Sequence, residues 1–586
     1  MKKYWQYNKR AYGLFFRHMN KFVGYRIVSS MIITLMLIPG LTQASKGLMA
    51  VGGYDYLTNN LIKKFLLSPA GVLLIILGLI VAFLVVLMEL GGIVVLAHQM
   101  IRGEKESRFI DILRYSLKQF KKLVSTDGIL IALYLIILAP LFSEGLSSSL
   151  LSNIKIPGFI MQSIHANDAL SLAFAGLVVL ILVLSFRWMF ALFVLMLEDD
   201  GDKKILKRSH LIRKKKLKAL IQYGLVSLVY NLGVLLVVLL AYGLVGLGIL
   251  VIFSAYLEVA AVLLVGLVLV IVFILLAIEV PVNLIALTFL YHDLSGRNEA
   301  LDIRVIEGST WLNRLLKNRV FVVMSLTLAL AITSIGAYAV YKGVEGVKYQ
   351  VFITAHRGSS FEAPENTLSA IEIAYKNGAD YVEIDVQLTQ DGHLVLLHDE
   401  TFKRTSGVDL RPDQMTLEEI QVLDAGQWFS EAFQGETYVS LDQVMVYAKD
   451  KIKLNIEIKG SKHSPQVRQA VVDLILKHDY LDDCVVTSLN YEDIKGVEYI
   501  DSRVKTGYIM FIAFGNLEKL YTDFYSIEAS NVNASFVSAA HEIGREVHVW
   551  TVNTEEEMKK MLDLGVDNII TDKDKKLKEI IDQSKK

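Results

Sequence analysis

A single cysteine, Cys484, stands among 586 residues, so neither an internal disulfide framework nor a cysteine-based zinc knuckle is available. It reads as a small core residue. Net charge is missing too: 60 lysines and arginines balance 60 aspartates and glutamates. That balance averages two unlike halves and by itself says nothing about partners; no nucleic-acid partner is expected. The amino-terminal MKKYWQYNKRAYGLFFRHMNK is basic and aromatic. It lacks the short apolar core and small-residue cleavage site of a removable signal peptide, so the first apolar run is expected to stay in the mature protein.

What the chain has in excess is apolar sequence, 53% of its residues with a mean hydropathy of +0.44. That is too much for one soluble domain. A helix needs about twenty apolar residues to cross the hydrocarbon layer, and seven runs qualify or nearly so: Ile27 to Leu48, Pro69 to Ala97, Gly128 to Leu146, Leu170 to Leu197, Tyr223 to Phe253, Val259 to Leu290 and Phe321 to Tyr341. The first and third are interrupted by Pro39 and Pro140. Basic residues crowd the N-terminus and every second loop, including RGEKESRFIDILRYSLKQFKK and DKKILKRSHLIRKKKLK. The positive-inside rule makes those loops cytoplasmic. Residues 1–345 are therefore expected to form a multi-pass cell-membrane domain of about seven helices, with the tail on the extracellular face. Glu89, Arg187 and Glu279 fall at apparent membrane depth. There they mark either a pathway or a lipid-binding pocket, or snorkelling or a structural Glu–Arg pair.

Beyond this half, residues 346–586 change to short apolar strands alternating with amphipathic helical stretches. The alternation predicts a parallel α/β sheet, and the roughly 237 residues from about Tyr349 onward suit a (β/α)8 TIM barrel. Nine strand candidates compete for eight places: VFITA, YVEIDVQL, LVLLH, IKLNIEI, CVVTS, VKTGYIM, FYSIEAS, EVHVWTV and NIIT. The fold class expected is thus an α-helical transmembrane domain followed by a TIM barrel.

Polar residues collect at the predicted strand ends, where such barrels place their chemistry. The first strand ends in His356-Arg357-Gly358, the second holds Glu383 and Asp385, the third ends in His398-Asp399, and the fourth holds Glu457 and Lys459. Residues i and i+2 of a strand share a face. Glu383 and Asp385 therefore aim together, and a divalent cation, Ca2+ or Mg2+, would relieve their repulsion with Glu457 as a third oxygen ligand. His356 and His398 offer a proton acceptor and a proton donor near neutral pH. Arg357 and Lys459 add positive charge suited to phosphate, and Gly358 would let the backbone approach a ligand. His541 and His548 have no such company and read as structural.

Taken in order, HRGSSFEAPENT, YVEIDVQLTQDGHLVLLHDETFKRTSG, NIEIKG, VWTVN and IITD resemble the glycerophosphodiester phosphodiesterase family across most of residues 350–575. The preceding helices resemble the membrane domain that accompanies some bacterial members. The resemblance implies a metal-dependent TIM barrel that hydrolyses glycerophosphodiesters to glycerol 3-phosphate and an alcohol. By motif position His356 and His398 become the acid/base pair and Glu383, Asp385 and Glu457 the metal ligands. Arg357 and Lys459 would contact phosphate. Glu365 of PENT lies near the loop that closes the site, and Trp550 would form an apolar wall for glycerol or the leaving group, or else belong to the core. The chain departs from the family pattern at TYVSLDQV, residues 437–444, where relatives often carry an Ile-Pro-Thr-Leu-Glu-like run.

Expected substrates are soluble glycerophosphodiesters, lysolipid-like headgroups or glycerol-phosphate polymers, with membrane lipids as further partners. Two other readings compete. One is a related TIM-barrel phospholipase using the apolar stretch FIAFGNLEKLYTDFY, residues 511–525. The other is a membrane transporter or scaffold whose barrel only binds ligand.

Overall fold

The computed structural model describes residues 1–104, 107–124, 129–130, 164, 168–198, 205–214, 216–252, 257–301, 303 and 351–584. Of the seven apolar runs, Gly128 to Leu146 and Phe321 to Tyr341 lie wholly or almost wholly outside the described residues, as does the boundary near residue 345. Among the described residues four helices are long and apolar enough to cross a membrane: Met19–Val51, Pro69–Arg102, Ala169–Leu197 and Leu217–Ile252. The shortest has 29 residues, which at the helical rise is about 44 Å, more than the roughly 30 Å hydrocarbon layer. A further helix, Leu257–Ser295, covers the Val259 to Leu290 run and carries Pro281 inside it.

The chain divides into two compact units. In the first, the amphipathic helix Lys2–Arg17 buries Tyr4, Tyr7, Ala11 and Phe15, with Tyr7 stacked on Phe289 at 5.8 Å. The three ionisable residues expected at membrane depth diverge. Glu89 is buried in a π turn, Leu87–Gly91, whereas Arg187 and Glu279 are exposed on their helices. Buried Glu198 accepts from the Tyr291 hydroxyl at 2.6 Å and faces Arg208 at 3.1 Å.

The second unit comprises, in its described parts, Met49–Ala70 and residues 351–584. Its strands in chain order are β1 (Tyr56–Thr58), β2 (Phe352–Ala355), β3 (Tyr381–Leu388), β4 (Leu394–Leu396), β5 (Lys453–Ile458), β6 (Cys484–Ser488), β7 (Thr506–Met510), β8 (Ala513–Gly515), β9 (Phe524–Glu528), β10 (Glu546–Trp550) and β11 (Asn568–Thr571). Eight of them, β2, β3, β5, β6, β7, β9, β10 and β11, run parallel, and β2 pairs with both β11 and β3, closing the barrel. Helices such as Leu368–Asn377 and Ser464–Lys477 turn Ile371, Ala374, Val467 and Val471 onto the outside of the sheet, where they are buried. Cys484 is buried at the start of β6, and that burial pushes its thiol up to about 12.

The accessory candidate among the nine is LVLLH. Its core, β4, runs antiparallel to β3, so the third strand of the sequence reading is not a barrel stave, and His398 does not lie at the end of one. The reason is connection length. Only residues 389–393 separate β3 from β4, enough for a hairpin, whereas a parallel neighbour needs a crossover of about a dozen residues. After β4 the chain makes a long excursion with its own small core of Val395, Leu397, Phe402, Met415, Ile420, Ala425 and Tyr438. The atypical TYVSLDQV closes that excursion. Tyr438 hydrogen-bonds Thr405 through their hydroxyls at 2.5 Å, and Ser440 caps the helix Leu441–Ala448 in a reciprocal box with Gln443.

Candidate active site

The carboxyl ends of β2, β3 and β5 adjoin in the closed sheet. Asp385 lies directly opposite Glu457 in the β3–β5 register, and Glu383, two residues earlier, shares its face. One oxygen from each of Glu383, Asp385 and Glu457 lies within 4.8 Å of the other two. All three side chains are buried. Lys459 reaches back into this cluster, its Nζ 2.8 Å from Glu457 Oε1 and 2.9 Å from Asp385 Oδ1. An ammonium thus occupies ground where three buried carboxylates demand positive charge. This all-oxygen donor set suits a hard divalent cation such as Mg2+ or Ca2+.

The loop after β2 grips the same carboxylates. Arg357 donates its backbone N–H to Glu383 Oε2 at 2.7 Å, and Asn366 of PENT donates Nδ2 to Asp385 Oδ2 at 2.8 Å. Arg357 and Asn366 adopt positive φ, 55° and 57°, and Gly358 has φ 81°. A Cβ at Gly358 would stand 2.5 Å from the Cβ of Ala370 and 2.9 Å from its carbonyl carbon. The glycine therefore serves the close approach of this loop to the helix Leu368–Asn377. Glu365 bridges two guanidiniums, Arg357 Nη1 at 3.2 Å and Arg404 Nη2 at 2.6 Å, and is not among the clustered carboxylates.

Each site histidine has a carboxylate on Nδ1. For His356 it is Asp572, just past β11, at 2.6 Å; Asp572 also accepts from Asn553 and from Ser360 Oγ at 3.2 Å. For His398 it is the adjacent Asp399 at 2.9 Å, which Arg404 holds through Nε at 2.7 Å. Gln387 at the end of β3 donates to the carbonyls of Leu397 and Asp399 at 2.8 and 2.6 Å. The loop bearing His398 is thereby tied to the strand bearing Asp385. A cavity of about 390 Å³ beside it is lined by Gln387, His398, Arg411, Lys459 and His463, among others.

Electrostatics separate the neighbouring carboxyls. Burial, with Asp385 alongside, raises the pKa of Glu383. Burial also opposes ionisation of Asp385, but Lys459, Arg357 and His398 outweigh it and hold that carboxyl well below the usual range. Burial and Arg357 disfavour the charged form of His356, yet the hydrogen bond its Nδ1–H donates to Asp572 prevails and raises its pKa. Asp572 itself, despite burial, is lowered to about 2 by the same bond.

Trp550, half-buried at the carboxyl end of β10, packs edge-on against Phe511 with ring centroids 5.4 Å apart. His541 pairs with Asp567 at 2.8 Å and His548 with Glu546 at 3.2 Å. Asp572, Asn366 and Arg404 were not read as site residues from sequence. Only for Asp572 was a signal present, a carboxylate one position beyond the strand NIIT.

Residues 356–576 match the model of the glycerophosphoryl diester phosphodiesterase family, and residues 9–337 match that of the membrane domain of glycerophosphoryl diester phosphodiesterase. A glycerophosphodiester phosphodiesterase of Caldanaerobacter subterraneus subsp. tengcongensis is 36% identical over 231 residues, 38% of this chain and 94% of the relative. One from Bacillus altitudinis is 34% identical over 229 residues, again 38% of this chain and 94% of the relative. The structure of an Oleispira antarctica phosphodiesterase in complex with the product sn-glycerol-3-phosphate is 30% identical, covering 39% of this chain and 96% of that one at a TM-score of 0.38. The family match and the two relatives in sequence favour an enzyme over a transporter or scaffold with a ligand-binding barrel. The chain belongs to the glycerophosphoryl diester phosphodiesterase family, as an enzyme whose phosphodiesterase barrel is joined to that family's membrane domain.

Proposed function

We propose that this enzyme hydrolyses glycerophosphodiesters to glycerol 3-phosphate and an alcohol with a divalent cation at Glu383, Asp385 and Glu457, using His356 and His398 for proton transfer. The observation that carries the reading is the convergence of three buried carboxylates within 4.8 Å with two histidines that each carry a carboxylate on Nδ1.

The cation, when bound, supplies positive charge against the phosphodiester oxygens. Arg357 and Lys459 add charge on the same side and orient the phosphate. One histidine takes the proton of an oxygen nucleophile, either water or the substrate's own glycerol hydroxyl, as the new P–O bond forms. The other gives a proton to the departing alcohol oxygen as the old P–O bond breaks. With Nδ1 of each ring bonded to a carboxylate, Nε2 is the nitrogen left for this transfer.

An outward-facing barrel is supported by the membership of one unit. Met49–Ala70 shares a compact unit with the barrel, and its strand β1 pairs with β8, so segment and barrel lie on one side of the membrane. A single apolar helix, Met19–Val51, separates that segment from the basic N-terminus. With the basic N-terminus cytoplasmic by the positive-inside rule, the barrel is read as outward-facing. About seven crossings within residues 1–345 belong to the same reading. A second reading, lipid phosphodiesters as substrates, draws on Phe514 and Tyr521, which are exposed in the apolar 511–525 stretch.

Purified full-length chain, assayed on glycerophosphocholine, a glycerol-phosphate polymer and lysophosphatidylcholine with and without chelator, tests the proposal. Chelator-sensitive hydrolysis supports it, and the preferred substrate separates the two readings. No hydrolysis of any of the three would contradict it.

A further inference from the structure

The barrel contains a piece of the chain that the sequence assigns to the membrane half. Strand β1 pairs antiparallel with β8, and its Thr58 hydroxyl lies 3.1 Å from the Tyr508 hydroxyl of β7 in a buried pair. Asp55 accepts the backbone N–H of Asn516 on its carbonyl at 3.0 Å and faces Lys519 Nζ at 2.8 Å. Gly515, at φ +92°, makes room for this segment: a Cβ there would stand 2.5 Å from the Asp55 carbonyl oxygen.

Asn59 follows β1 directly and bonds to two strand ends of the barrel. Held at φ 34°, it donates Nδ2 to the Ile509 carbonyl at 2.7 Å and the Leu489 carbonyl at 3.1 Å. Its Oδ1 accepts the backbone N–H of Phe511 at 3.0 Å. Those partners sit at the carboxyl ends of β6 and β7, the end of the barrel that bears the candidate site. A side chain making three bonds to backbone groups of two neighbouring strand ends ties those ends together, and its loss removes all three bonds at once. Phe511 is also held from the other side by Asn531 Nδ2, at 2.7 Å from its carbonyl, and its ring meets Trp550.

We propose that Tyr56–Asn59 is an integral part of the barrel mouth and that Asn59 is a positioning residue, setting the Phe511–Trp550 wall against which the hydrocarbon part of the substrate lies. This rests on the hydrolase reading above. The wall stands at the ends of β7 and β10, neither of which adjoins β2, β3 or β5 in the sheet, so the strap governs binding and not the chemical step. The barrel separated from residues 49–70 is then an incomplete enzyme.

The test uses the full-length chain. Asn59→Ala should raise KM for glycerophosphocholine about tenfold while kcat stays within about twofold, the signature of lost uniform binding. It should also speed hydrogen exchange at the Phe511 amide. Asn59→Asp keeps the acceptor for that amide and loses both donated bonds, so its KM should fall between. Gly515→Ala, which drives a Cβ into the Asp55 carbonyl, should raise KM in the same way and covers the case that Asn59→Ala does not fold. An unchanged KM, or a kcat that falls in step, would overturn the positioning role. Exchange at Phe511 is read without substrate: an inactive wild-type chain would count against the hydrolase reading, whereas unchanged exchange alone would overturn the strap.

Discussion

His356 Nδ1 and Asp572 Oδ1 lie 2.6 Å apart, joining the end of the first barrel strand to the end of the last. The pair raises the pKa of His356 and lowers that of Asp572 to about 2. The Asp572 contribution to stability is complete above its unfolded value of about 3.9 and is lost as pH falls through about 2. The His356 contribution is complete below about 6.5 and is lost as pH rises through its raised folded value. The pair is therefore fully stabilising only between those limits.

Asp572→Asn removes the carboxylate that favours imidazolium, so the folded pKa of His356 should drop. In the pH profile of kcat/KM one limb should move to lower pH, and which limb moves assigns His356 as acid or base. A profile with both limbs in place would contradict the coupling.

Glu365 holds Arg357 and Arg404 together. Glu365→Gln leaves two guanidiniums facing each other without the carboxylate between them. We expect KM for glycerophosphodiester to rise about tenfold, with a smaller effect on kcat. Steady-state kinetics check this, and an unchanged KM would remove Glu365 from the account.

Gly358→Ala should be the costlier of two glycine substitutions. At Gly358 an added Cβ meets Ala370 at 2.5 Å as well as a φ of +81°. At Gly392 the φ is +85° but nothing lies within 4 Å. Strain alone is worth about 1 kcal/mol and overpacking adds about 1–3 kcal/mol. Thermal unfolding in detergent should show Gly358→Ala with the lower Tm; equal values would mean that the helix Leu368–Asn377 yields.

Much of the catalytic half was legible because its signals are local. The i, i+2 rule placed Glu383 beside Asp385, and the strand–helix alternation gave the barrel. The strands that misled did so for reasons of connectivity. LVLLH has the composition of a buried strand, and only the five-residue link Thr389–His393, with its Asp-Gly turn, marks it as a hairpin arm. Partners contributed from distant sequence were invisible. Asp572 lies 216 residues from His356 and Asn59 lies 452 from Phe511, and no periodicity links such pairs. Glu198 and Tyr291, 93 residues apart, are joined in the same way inside the membrane half.

Asp385→Asn tests the cation site apart from turnover. Asp385 faces Lys459, Arg357 and Asn366 at once, so the amide should weaken Mg2+ or Ca2+ binding at least tenfold, as loss of a ligand or its support does. Calorimetric titration of the full-length chain reads this directly. Unaltered binding would place the cation elsewhere.

The most direct measurement is release of glycerol 3-phosphate from glycerophosphocholine by the full-length enzyme before chelation, after chelation, and after Mg2+ or Ca2+ is restored, with His356→Ala and His398→Ala alongside. The account predicts release that chelator abolishes and cation restores, and no turnover in either folded variant. Chelator-resistant release, or near-normal activity in either variant, would contradict it.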